Sequence, residues 1–260
     1  MQVDYWSDVR STMEGYTMVD VKGKWALITG ASRGVGYQLT HFMADQGCNL
    51  ILHSRTLAHT EQVAKEVEAK GIKVICVSAE LADDAQVRQM LQTIDETGVD
   101  VDIVFNNAGI QVPYKVDYIK TPISDFDISF KVNTIAVATI CYHFLPKMMK
   151  KGFGRIINTT SGIQDQPEQA GYSASKAALD KITLDLGTKV DGTDVLINLT
   201  DPGWCRTDLG GPNAPNDVKD SIPGVAVGAF VDNKKSRKFY GAPGFAGMSL
   251  EEAVKKAQTM

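Results

Sequence analysis

"LITGASRGVGYQL", residues 27–39, decides the fold. Apolar residues run up to Ile28, glycines follow at 30, 34 and 36, and helical periodicity then returns. A strand that leaves through a loop with few side chains and feeds a helix opens a βα unit. Without Cβ atoms, backbone N–H groups can approach a bound anion, and the helix N-terminus adds partial positive charge. The same glycines would also suit tight packing at a βα corner, so the motif alone leaves both readings open. Its spacing is T-G-x-x-x-G-x-G over Thr29, Gly30, Gly34 and Gly36, with Ser32, Arg33 and Val35 inside it.

The same alternation continues along the chain. Short β-branched runs at 24–29, 49–53, 73–77, 102–106, 154–160 and 195–200 read as strands, and 35–46, 59–70, 83–97, 124–150 and 168–190 as helices. The near-continuous apolar character of the runs suits parallel strands covered on both faces. Repeated βα units predict an α/β fold with a doubly wound parallel sheet. No linker divides the chain. We therefore expect an N-terminal arm over 1–21, one domain over 22–248, and a C-terminal helix of the same domain over 249–260. Ser249 and Glu252 stand in capping-box spacing for that helix. The stretch 208–228, rich in Gly, Pro, Asn and Asp, reads as an irregular, mobile loop.

Composition excludes several function classes. The 27 basic and 31 acidic residues give a net charge of −4, with no basic footprint for nucleic acid or a membrane surface. No apolar run reaches the roughly 20 residues of a membrane span. The first twenty residues lack the pattern of a secretory signal. Cys48, Cys76, Cys141 and Cys205 are scattered without CxxC spacing, which points to a reducing, cytoplasmic setting and away from a metal site. The N-x-T sequons at Asn158 and Asn198 fall in buried strands and read as chance matches.

Three further segments add to the glycine loop. "NNAG" (106–109) follows the fourth strand, and Ser161 ends the fifth. "YSASK" (172–176) places Tyr172 and Lys176 on one helix face. A tyrosine free in water titrates at about 10, too high for efficient acid–base work at neutral pH, and a nearby cation lowers that value. Tyr172 could then pass a proton to a carbonyl oxygen, with Ser161 holding the same oxygen. In these four motifs, over about residues 22–207, the chain resembles the single-domain branch of the short-chain dehydrogenase/reductase family.

The resemblance implies a Rossmann-like fold and a catalytic set of Asn133, Ser161, Tyr172 and Lys176. Asn133, in "KVNT", would kink a helix and anchor a water relay to Lys176; Lys176 would also hold the nicotinamide ribose. Thr160 is the competing serine-like candidate, and Ser161 matches the family position better. The implied cofactor contacts are Gly30, Ser32, Arg33, Gly34, Val35, Gly36, Ser54, Arg55, Glu80, Leu81, Asn107, Ala108, Gly109, Tyr172, Lys176, Pro202, Gly203 and Thr207. Trp204 either walls the substrate pocket or belongs to the core, and Cys205 reads as a small packing residue. Residues 111–120, 162–171 and 204–225 would shape the pocket.

The second strand ends in "LILHSRT". Enzymes of this fold that use NAD carry an acidic residue there; Ser54 stands in its place and Arg55 follows. Arg33 and Arg55 would hold a 2′-phosphate, so the expected cofactor is NADP(H) and the expected activity reduction of a ketone or aldehyde. The alternatives are a 3-oxoacyl-[acyl-carrier-protein] reductase and, from another class, a non-catalytic NADPH sensor. Apolar residues on 124–150 and 168–190, including Ile135, Val137, Ile140, Ala177, Ala178 and Ile182, together with the resemblance, imply a homodimer or homotetramer. The C-terminal helix is expected near the substrate loop or across a subunit interface.

Overall fold

The computed structural model describes residues 17–260; most of the expected N-terminal arm lies outside them. The first half alternates β1 (Trp25–Thr29), α1 (Gly34–Asp45), β2 (Asn49–Ser54), α2 (Ala58–Glu68), β3 (Val74–Ser78), α3 (Asp84–Glu96) and β4 (Val101–Asn106). The second half runs α4 (Ile123–Phe130), α5 (Ala136–Lys151), β5 (Gly154–Thr159), α6 (Ala170–Gly187), β6 (Val195–Asp201), α7 (Ile222–Ala226), β7 (Phe239–Gly241) and α8 (Leu250–Gln258). All strand pairs are parallel, in the order β3-β2-β1-β4-β5-β6-β7. The order reverses between β1 and β4, and the C-terminal strand ends there carry the glycine loop and "NNAG".

Strand periodicity divides the core between the two faces. Ala26, Ile28, Leu50 and Leu52 join one cluster with Leu39 and Met43 of α1. Leu27 and Ile51 point the other way, into a cluster with Val137, Ile140 and Phe144 of α5 and Leu179 of α6. Both faces are covered, which is why these strands read as continuous apolar runs. Asn158 and Asn198 are buried, in keeping with chance sequons.

The structure refines the sequence expectations at three places. The helix expected over 124–150 is two helices, α4 and α5, joined by a π-helical turn at Lys131–Ile135. An extra residue in that turn shifts the helical phase at Asn133. The whole stretch Ile123–Lys151 has the length and composition of a membrane span, but 56% of its most apolar window is buried, so it serves as a core helix. The second is 208–228, which is irregular as far as residue 221, as expected, but tied down by hydrogen bonds. Asn216 donates from its backbone N and its Nδ2 to Trp204 O, and Arg206 bonds Ala214 O, Pro215 O and Asp217; the stretch ends in α7.

The third is the C-terminal helix, which packs on α7 at the end of the 204–225 stretch. Its N-cap Ser249 forms the expected capping box with Glu252. Ala253, Val254 and Ala257 are fully buried in the first core cluster, against α7 and the turn after it. The helix therefore completes its own chain's core. Residues 17–19 follow the same face: the Val19 N–H donates to Phe230 O at 2.9 Å.

Candidate active site

Gly30 follows β1, and its φ of +67° and that of Gly34 at +56° suit glycine. A Cβ on Gly30 would meet Ala108 Cα at 3.0 Å, and one on Gly36 would strike Gly30 O. Corner packing thus accounts for two of the three glycines. The anion reading rests on α1 itself: its N-cap Arg33 makes no capping bond and its first turn holds no acidic residue. Asp83 caps α3 and Ser249 caps α8, but α2, α4, α5 and α6 also lack a side-chain cap, so the bare turn of α1 counts by its place at the end of β1. The first N–H groups of α1 are thus a donor set suited to a diphosphate. Ser32 and Val35 are half-buried in this turn.

The ends of β1, β2 and β4 are bonded into one platform. The Asn107 Nδ2 donates to Thr29 O at 3.0 Å, and the Ala108 N–H to Thr29 Oγ1 at 3.0 Å. His53, which belongs to none of the sequence motifs, accepts from the Gly30 N–H at Nδ1 (3.3 Å) and faces Ala79 O from Nε2 (3.1 Å). Burial pushes the His53 pKa below its ordinary value, so the ring is neutral. Its signal in the sequence is a histidine inside the otherwise apolar "NLILH".

Tyr172 and Lys176 are both buried on α6. The Lys176 Nζ donates to Thr159 O at 2.8 Å and lies 5.9 Å from the Tyr172 ring centroid. Burial lowers the Lys176 pKa to about 8, with Asp180 and Asp201 acting against it. Burial raises the Tyr172 pKa; the Ser161 hydroxyl pulls it back, and the charge of Asp201 adds to the rise. Burial thus sets the direction here, and the dry site holds the phenol in its protonated form.

Asn133 sits in the π-helical turn and uses its amide on protein groups. Its Oδ1 accepts from the Ile110 N–H, and its Nδ2 donates to Ile110 O, each at 2.9 Å; Nδ2 also reaches Ser175 Oγ at 3.0 Å. It thereby fixes the chain leaving "NNAG". A Cβ on Gly109 would come within 3.2 Å of Asn133 Oδ1 and 3.4 Å of Lys176 Nζ, so this glycine keeps the space before the lysine open. Ser161 follows β5 and accepts from the Ile163 N–H at 3.3 Å; Thr160 is buried.

The remaining sequence candidates divide. Thr207 lies against the glycine loop, since a Cβ on Gly34 would meet its Cγ2 at 3.2 Å. Pro202 and Gly203 turn the chain beside it, Gly203 at φ +75°. Arg33 pairs with Asp208 at 2.8 Å, both side chains exposed, whereas Arg55 is exposed. The Ser54 hydroxyl donates to Thr56 O at 2.7 Å. Glu80 accepts from the Ala82 N–H at 3.1 Å within its own turn, and Leu81 is buried in the second core cluster. Trp204 is 59% exposed, which removes it from the core, and Cys205 is buried with its thiol pKa raised by that burial.

Two of the loops expected to shape the pocket are joined: the Gln169 Nε2 donates to Val112 O at 3.0 Å, and the Lys115 N–H to Glu168 O at 3.0 Å. Tyr114, Val116, Tyr118 and Ile119 stand exposed on the loop after β4.

Comparison with known proteins gives the chain's family and fold. The short chain dehydrogenase family model matches residues 24–217. A short-chain type dehydrogenase/reductase of Picea abies is 31% identical over 196 residues, 72% of each chain. A 3-oxoacyl-[acyl-carrier-protein] reductase of Staphylococcus epidermidis is 30% identical over 203 residues, 76% of this chain and 82% of that protein. A solved short chain dehydrogenase of Burkholderia cenocepacia, in complex with NADP, superposes with a TM-score of 0.76 at 25% identity, covering 86% of this chain and 97% of the other.

Proposed function

The chain belongs to the short-chain dehydrogenase family, and we propose that it is an NADPH-dependent reductase of a ketone or aldehyde. One observation carries the reading: a buried, protonated Tyr172 lies one helical turn from a buried lysine, at the strand ends where the first turn of α1 is bare.

The nicotinamide cofactor would supply the hydride. The N–H groups of Gly34, Val35 and Gly36 would hold its diphosphate, and Arg55 with Arg33 a 2′-phosphate. Tyr172 donates its proton to the substrate oxygen as the carbonyl is reduced, and Ser161 hydrogen-bonds the same oxygen. Lys176 supplies positive charge beneath the phenol and keeps donors free for ribose hydroxyls. Asn133 fixes the Ile110 segment that borders the site.

The alternative, reduction of a 3-oxoacyl group on an acidic carrier, is favoured by the Staphylococcus relative. It calls for free cations at the rim. Here Arg33, Lys115, Lys120 and Arg206 are each paired, with Asp208, Asp125, Asp117 and Asp217. These pairs reduce the positive charge offered to a carrier, while Arg55 and Lys131 are exposed and in no ion pair among the described residues; the substrate panel decides between the two readings. A non-catalytic sensor would have no use for an intact Tyr172–Lys176 pair. Loss of NADPH absorbance across a panel of ketones, aldehydes, sugars and acyl-carrier thioesters tests the reading; no turnover of any of them would contradict it.

We further infer assembly through α5 and α6, in the reducing cytoplasm that four free cysteines suit. Ile135 and Tyr142 are 51% and 63% exposed beside a groove lined by Leu91 and Ile182. Val137 and Ile140, expected at that interface, are instead buried inside the subunit.

A further inference from the structure

Asp201 ends β6 between the two turns that flank the candidate site. Its Oδ2 accepts from the Gly162 N–H at 2.8 Å and its Oδ1 from the Gly203 N–H at 2.8 Å. Gly162 follows Ser161, and Gly203 stands in the turn that leads to Thr207. One carboxylate thus fixes the backbone beside the oxygen-binding serine and the backbone leading towards the glycine loop. A Cβ on Gly162 would come within 3.1 Å of Asp201 Oδ2, so the close approach depends on glycine there. We propose that Asp201 is a positioning residue of the reaction, a two-armed clamp that holds Ser161 in register with the Pro202–Gly203 turn. This rests on the carbonyl-reductase reading above.

The charge has its own consequence. The acidic groups acting on the Tyr172–Lys176 pair are Asp180, on α6, and Asp201, on β6. A negative charge holds protons on the pair, whichever member loses the first one. Asp201 therefore keeps the proton-donating form present to higher pH.

The test combines Asp201→Asn and Asp201→Glu with a Tyr172→Phe control. In Asp201→Asn, amide hydrogen exchange at Gly162 and Gly203 of the cofactor-free protein should quicken. Its kcat for reduction should fall about tenfold or more, with KM for NADPH within about twofold. The alkaline limb of its pH–rate profile should move down by about half a pH unit or more. Asp201→Glu keeps the charge and displaces the oxygens, so its kcat should fall while the limb stays. It carries the test if the Asn variant does not fold. Unchanged exchange at both glycines overturns the clamp. Faster exchange with wild-type kcat and limb reduces Asp201 to a structural residue and also overturns the proposal. If Tyr172→Phe keeps its turnover, the carbonyl-reductase reading has failed instead, and the exchange data still decide the clamp.

Discussion

The Lys176 ammonium lies 5.9 Å from the centre of the Tyr172 ring, one turn along α6, and both groups are buried. Burial shifts the two in opposite directions: the phenol holds its proton more tightly, and the lysine loses its own at about 8. The proton-donating, positively charged pair is thus complete below about pH 8 and is lost as pH rises. Carbonyl reduction should be level below that point and decline above it, and Lys176→Met should cut kcat sharply at every pH. A rate that stays level to pH 10 would separate Lys176 from the reaction.

Cofactor choice should turn on Arg33, Ser54 and Arg55, with Asp208 as the present partner of Arg33. A charge-assisted bond to a 2′-phosphate contributes about 1.5–3 kcal/mol, whereas an exposed ion pair such as Arg33–Asp208 contributes about 0–1. The phosphate should therefore win Arg33 from Asp208. Arg55→Ala should weaken NADPH far more than NADH. Ser54→Asp combined with Arg55→Ala should reverse the preference, and Asp208→Ala should tighten NADPH slightly. Fluorescence titration of both cofactors checks all three, and equal Kd values in the unaltered protein would rule the assignment out.

His53 makes stability depend on pH in a set direction. Its folded pKa lies below the unfolded value of about 6.5, so its contribution is complete above that pH and is lost as pH falls. Protonation would place a second N–H against the Gly30 donor and break the tie to the glycine loop. Thermal unfolding between pH 7.5 and 5 should show a steeper loss of Tm for the native chain than for His53→Asn. Parallel curves would remove His53 as the cause.

Assembly should fail when the exposed face of α5 is charged. Light scattering should show a dimer or tetramer for the native chain and smaller particles for Tyr142→Glu, with the circular dichroism spectrum retained. A native chain that stays monomeric at all concentrations would overturn the interface.

The fold was legible because each strand carries its own apolar run and each crossover its own helical period. A kink at Asn133 was legible through the resemblance; its π-helical form was not, since it goes with the bonds Asn133 makes to Ile110 and Ser175 in the fold. Tyr172, Lys176 and Gly30 were legible as motif residues. Asp201 and His53 were not: their value lies in the Gly162, Gly203 and Gly30 N–H groups they meet, partners up to 39 residues away. The loop after β6 read as mobile because its composition is that of a turn; the bonds of Trp204, Arg206 and Asn216 that tie it are set only by the folded path of the chain.

Tyr172→Phe tests the central claim most directly, since it keeps the ring and removes only the hydroxyl. On a carbonyl substrate found by the NADPH panel, the account predicts a loss in kcat of about 100-fold or more, with the NADPH Kd nearly unchanged. Turnover at the native rate by the Phe variant would contradict it.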